Sequence, residues 1–116
     1  MRVELLFWDG CPSHSKALAE LRAAMADVAL DASEIIVREV KTQTEAELAR
    51  FVGSPTIRID GVDVQPPAGE PPGGEPVGLV CRVYRRRDGR ISPTPDPDDL
   101  RDALRAAQAL TTGMKR

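Results

Sequence analysis

Leu5-Leu6-Phe7-Trp8-Asp9-Gly10-Cys11-Pro12-Ser13-His14 is the stretch that decides the fold: an apolar run stops at an Asp-Gly turn, and a cysteine follows at the mouth of a helix. Val3 to Trp8 is apolar apart from Glu4 and reads as a central strand buried on both faces. Pro12 suits the first position of a helix, where its missing N–H costs nothing, so Cys11 is expected at or next to the N-cap. There its sulfur would face unpaired N–H groups and the positive end of the helix dipole, which favours thiolate over thiol. A thiolate is what attacks disulfides and binds soft metals. His14 is expected on the same helix face, within reach of that sulfur.

Outward from this stretch, Leu18, Leu21, Met25 and Val28 recur at helical spacing between polar residues, predicting an amphipathic helix from Pro12 to about Leu30. Ile35 to Val40 is rich in β-branched residues and reads as a second strand, and the order strand, helix, strand implies a right-handed crossover with parallel pairing. Thr44 with Glu47 resembles a capping box for a short helix, with Leu48, Phe51 and Val52 on its buried side and Gly53 to stop it. Ile57-Arg58-Ile59, Asp60-Gly61 and Val62-Asp63-Val64 read as an antiparallel hairpin. From Pro66 to Gly78 the composition turns to proline, glycine and glutamate, as in an exposed, extended loop. Leu79 to Tyr84 is a short strand or turn carrying Cys81, an Asp88-Gly89 turn follows, and a last helix buries Leu100, Ala103, Leu104, Ala107 and Leu110. Fraying is expected over residues 112–116.

The length of 116 residues suits one domain, residues 1–111, with the loop at 66–78 inserted in it. A net charge of -2 argues against nucleic acid or an anionic membrane as partner, because phosphate binding leans on a basic face. Arg85-Arg86-Arg87, with Arg82 and Arg90, reads as a solvated strand end and turn. No apolar run spans a bilayer and the N-terminal residues lack the pattern of a signal peptide, so the expected location is the cytoplasm. Cys11 and Cys81 are then thiols by default.

The order of elements, with Phe7-Trp8, Cys11-Pro12-Ser13-His14 and Ser54-Pro55-Thr56, resembles the thioredoxin superfamily. The resemblance implies a three-layer α/β/α fold with a mixed sheet in the order β-α-β-α-β-β-α. It matches Cys11 to the family's attacking cysteine and Pro55 to a cis-proline that contacts the bound partner, with Ser54 and Trp8 beside it. His14 stands where the second cysteine of the motif would be, which removes the local dithiol, and Leu6 stands about where many thioredoxins bury a carboxylate. The chain is also similar to short bacterial thioredoxin-like proteins with Asp-Gly-Cys-Pro, Gly-Ser-Pro-Thr and a late Cys-Arg-x-Tyr, here Asp9 to Pro12, Gly53 to Thr56 and Cys81 to Tyr84. Some of these carry an alkylmercury lyase label.

Two readings stand for each site residue. Cys11 is a reactive thiolate or a small buried hydrophobe; Cys81 is its partner, brought over by the Pro/Gly-rich loop, or an inert thiol. His14 tunes or deprotonates the sulfur, or is simply an exposed first-turn residue. Asp9 donates a proton or only shapes the turn. Trp8 shields the thiol or fills the core. Tyr84, near the arginines, binds an anionic tripeptide in the less favoured reading. Three functions follow. The first is a thiol redox protein, acting on a protein or small-molecule thiol or disulfide, with Cys11 as the thiolate resolved by Cys81. The second is a soft-metal or organomercurial protein using both thiols, with Asp9 as acid. The third is a non-catalytic binding module. No resident cofactor or metal is implied, since zinc wants more ligands than two cysteines and one histidine supply.

Overall fold

Alternation along Val3–Phe7, β1, sends Val3 and Leu5 to one face of the sheet and Glu4 and Leu6 to the other, and all four are buried. The computed structural model describes residues 1–31, 34–65 and 77–114, with side chains as far as Ala109. Beside β1 runs β2, Ile35–Glu39, in parallel, with Val3 opposite Ile35 and Phe7 opposite Glu39. On the other side β3, Thr56–Ile59, is antiparallel, with Leu5 opposite Ile57. Asp60 and Gly61, at φ 52° and 81°, turn the chain into the short β4, Val62–Asp63. Two left-handed residues match the right-handed twist of the flanking strands, which is why Asp-Gly suits this hairpin. The sheet order is β2-β1-β3-β4, mixed, with β2 at one edge.

Helix α1, His14–Asp27, starts later than its sequence predicts: Ser13 is the N-cap and Pro12 lies outside the helix. The cause is local, because the Cys11 N–H bonds back to the Trp8 carbonyl at 3.0 Å and closes a turn before the helix begins. Ala17, Leu21, Ala24 and Met25 of α1 pack with Leu100, Leu104 and Ala107 of α3, Pro97–Met114, against Val3, Leu5, Ile57 and Ile59. Burying each such leucine or isoleucine contributes about 1.5–3 kcal/mol, so this face holds the domain together. Helix α3 continues to Met114, beyond the expected fraying point; residues 115 and 116 and the Leu110 side chain lie outside what is described.

The second face carries a smaller cluster of Leu6, Val40, Ala46 and Phe51, with Trp8, Ala49 and Leu79 against it. Its helix α2, Gln43–Ala49, corrects three expectations. The N-cap is Thr42, whose Oγ1 accepts from the Glu45 N–H at 3.1 Å, rather than Thr44. Leu48 is 82 % exposed, because the inward face of so short a helix is supplied by Ala46. Arg50, at φ 53°, ends the helix in the left-handed conformation, so Gly53 is not its stop.

Residues 66–76, most of the Pro/Gly-rich stretch, lie outside the described part of the chain. From Val77 a strap runs over the sheet end to β5, Tyr84–Arg85, which pairs with β6, Ile91–Ser92, through the expected Asp88-Gly89 turn. The arginines here are not a uniform solvated run. Arg87 bonds Asp99 and Asp102 of α3 at 2.8 and 2.6 Å and holds the Asp102 carboxyl below the usual carboxylate range. Arg86 bonds Ser92 and Thr94, and Arg82 is buried. No described helix is long and apolar enough to cross a membrane.

Candidate functional site

The turn between β1 and α1 places Cys11 inward: the residue is 3 % exposed and its thiol donates to the Ser54 carbonyl at 3.6 Å. Its sulfur also lies 3.9 Å from the Ser13 hydroxyl. Cys11 precedes the N-cap instead of occupying it, so its environment is set by the Ser54 segment more than by the helix terminus. That segment is fixed on every side. The Ser54-Pro55 peptide bond is cis, the Trp8 N–H donates to Ser54 Oγ at 3.0 Å, and both residues are buried.

What covers them is the chain's own strap. Ser54 N–H donates to the Val80 carbonyl at 2.8 Å and Arg82 N–H to the Ser54 carbonyl at 3.0 Å, a one-rung parallel bridge between Ser54 and Cys81. Tyr84 adds a hydrogen bond from its hydroxyl to the Pro55 carbonyl, and burial pushes its phenol well up. Ser54 and Pro55, expected to face a bound partner, therefore face Val80–Tyr84 instead.

The strap brings the two cysteines together. Cys81 is exposed and lies across Ser54 from Cys11, close enough for a hydrogen-bonding interaction between the two thiols to act on its titration. That interaction is the main reason the Cys81 thiol is pushed up from its ordinary value; partial burial and the repulsion of a charge on Cys11 act in the same direction. Both sulfurs are free thiols.

The other expected site residues are placed as follows. The His14 ring stacks on Phe7 with centroids 4.3 Å apart, and Nδ1 lies 3.1 Å from the Cys11 carbonyl. A carbonyl only accepts, so Nδ1 carries the proton and the ring orients the Cys11 backbone; among the described contacts none joins it to the sulfur. Trp8 is half-buried against the second cluster, its ring lying over Gly10 so closely that a Cβ there would stand 2.4 Å from a ring carbon. Asp9 is exposed in the turn, and no described hydrogen bond ties it to either thiol.

Arg82 is the residue that sequence reasoning missed. Its guanidinium bonds Asp63 Oδ2 at 2.7 Å, the Gln65 carbonyl at 2.6 Å and Thr56 Oγ1 at 3.3 Å, and lies 4.2 Å over the Tyr84 ring. Gly53, at φ 139°, leaves the space this requires. The available signal was alternation: Arg82 and Tyr84 point inward while Val83 between them is exposed, the period of a strand. Among the described residues no three His, Cys, Asp or Glu side chains converge as metal ligands. Two adjacent thiols can close to a disulfide and give up two electrons, and that is the chemistry this arrangement offers.

No protein-family model, no curated protein and no solved structure matches the chain.

Proposed function

We propose that the chain is a thioredoxin-like thiol redox protein in which Cys11 and Cys81 form one dithiol/disulfide couple. The observation that carries this reading is that both cysteines meet at Ser54, the Cys11 thiol on its carbonyl and Cys81 bridged to its backbone. The cis Ser54-Pro55 bond beside the cysteine and the mixed sheet order support the thioredoxin likeness.

Cys11, which the thioredoxin likeness matches to the attacking cysteine, acts as the nucleophile once deprotonated, and Cys81 resolves it. In the oxidising direction the Cys11 thiolate attacks one sulfur of an external disulfide; a Cys11–S–S–R bond forms and the other half leaves as thiolate. Cys81, on losing its proton, then attacks the Cys11 sulfur and expels the second half as thiolate. The protein disulfide has formed, two electrons have passed to the external disulfide, and the two protons end on the released thiols. Cys11 is covered, so a small disulfide reaches it through the edge where Cys81 stands, and a protein disulfide does so once the strap yields. A reducing compartment such as the cytoplasm would return the pair to thiols.

The test is thiol titration before and after a mild disulfide oxidant, with mass spectrometry to locate the cross-link. Loss of both thiols together with a Cys11–Cys81 bond that reverses with reductant is the expected result; reaction of one cysteine alone would remove this reading. The same paired sulfurs also favour a second use, linear coordination of a soft ion by two thiolates. Retention of one mercuric ion per two thiols, with neither single cysteine variant retaining it, would support that use.

A further inference from the structure

We propose that Arg82 is a positioning residue for Cys81: through its buried bonds to Asp63 and the Gln65 carbonyl it fixes the register in which the strap lies on Ser54, and so fixes which side chain meets Cys11. The proposal rests on the reading of Cys11 and Cys81 as one couple.

The strap is held on Ser54 by two backbone hydrogen bonds, one on each side of Cys81. A rung so short specifies register weakly, because sliding by one residue would present Val80 or Arg82 to Cys11 and turn Cys81 away. Arg82 removes that freedom. Its own N–H makes one of those two hydrogen bonds, and its side chain, 7 % exposed, reaches into a slot lined by acceptors. Asp63, the Gln65 carbonyl and Thr56 Oγ1 take the guanidinium N–H groups, and the Tyr84 ring covers its face. Asp63 and Gln65 belong to the hairpin side of the sheet and Ser54 to the segment under Cys11, so one residue ties the strap to both. A buried ion pair adds little net stability over an apolar side chain of the same volume. Its distinctive effect is to define one position, and the position defined here is that of the adjacent cysteine.

The experiment compares wild-type protein with Arg82→Met, which keeps the bulk of the stem, and Arg82→Lys, which keeps a charge for Asp63. Two quantities are read on the folded protein: the dithiol/disulfide equilibrium in a glutathione redox buffer, and the rate at which iodoacetamide alkylates Cys11 in the reduced form. In Arg82→Met the effective concentration of the two thiols is expected to fall by about tenfold or more and Cys11 alkylation to rise by about as much, since small misplacements of reacting groups are costly. Arg82→Lys is expected to recover part of both. A lower urea midpoint with both quantities unchanged would mean that Arg82 is merely structural and would overturn the proposal. Should Arg82→Met not fold, Asp63→Asn weakens the same contact, and unchanged readings in that variant overturn it equally. If wild-type protein forms no disulfide, the redox reading fails, while the alkylation rate of Cys11 still decides whether Arg82 places the strap.

Discussion

Gly53 lies directly under Arg82: a Cβ on the glycine would stand 2.8 Å from the Cβ of the arginine. The contact is with the stem of a side chain that is pinned at its far end, so it cannot swing aside. Gly53 is also at φ 139°, which L side chains rarely adopt. Gly53→Ala is therefore expected to cost about 1–3 kcal/mol from backbone strain, read as a lower urea midpoint. The strap should loosen at the same time, with faster alkylation of Cys11. A midpoint equal to wild type would show that the two segments are less closely packed than this.

The Cys81 thiol should titrate above an ordinary cysteine, because its interaction with the Cys11 side chain favours the protonated form. The pH profile of Cys81 alkylation is expected to have a raised midpoint in wild-type protein and to return toward the ordinary value in Cys11→Ala. A raised folded-state value means that the folded protein keeps a proton the unfolded chain releases. The associated stability is complete below the ordinary thiol value and fades as pH rises through the folded one. Cys81 is exposed, so the loss in stability is small and the alkylation profile is the sharper measurement.

Thr42 and Leu48 invert the usual expectation for a threonine and a leucine. Thr42→Ala removes the side-chain cap on the Glu45 N–H and should cost about 1 kcal/mol. Leu48→Gln, on an 82 % exposed side chain, should stay within about 0.5 kcal/mol of wild type. Chemical denaturation of the two variants side by side checks the assignment of the α2 face; a large loss in Leu48→Gln would contradict it.

Gly10→Ala drives a methyl group into the ring of Trp8, which is the only tryptophan in the chain. The ring must leave its place against the second cluster, and a red-shifted, more quenchable tryptophan emission is expected. Overpacking of this kind costs about 1–3 kcal/mol. Emission identical to wild type would mean that the ring does not rest on Gly10.

The parts of the fold legible in the sequence are those where one local signal acts alone. The Val3–Phe7 run, the periodicity of α1 and α3 and the Asp60-Gly61 hairpin all appear, with only the helix ends shifted from where the local pattern puts them. The misread residues are those whose partners are distant. Arg82 reads as one more arginine of a basic run until Asp63 and the Gln65 carbonyl are seen beside it. Gly53 reads as a helix stop because it follows a helix, although its neighbour in space is the strap. His14 sits close in sequence to Cys11, yet the ring is taken up by Phe7 and a carbonyl. The contact between Cys11 and Cys81 depends on the strap lying over Ser54, which no local pattern of either cysteine announces.

The bridge between Ser54 and Cys81 brings Cys81 next to Cys11, far from it in sequence, and this sets how redox state and folding depend on one another. A bond closed between Cys11 and Cys81 would enclose most of the domain in one covalent loop and, in the chain-entropy description, restrict the unfolded ensemble by about 4 kcal/mol. Linkage runs both ways: whatever the bond adds to the fold, the fold adds to the bond's resistance to reduction. Such a couple would be reduced more easily the closer the protein comes to unfolding, so that heat or denaturant would shift its reduction potential as surely as a reductant shifts its melting temperature.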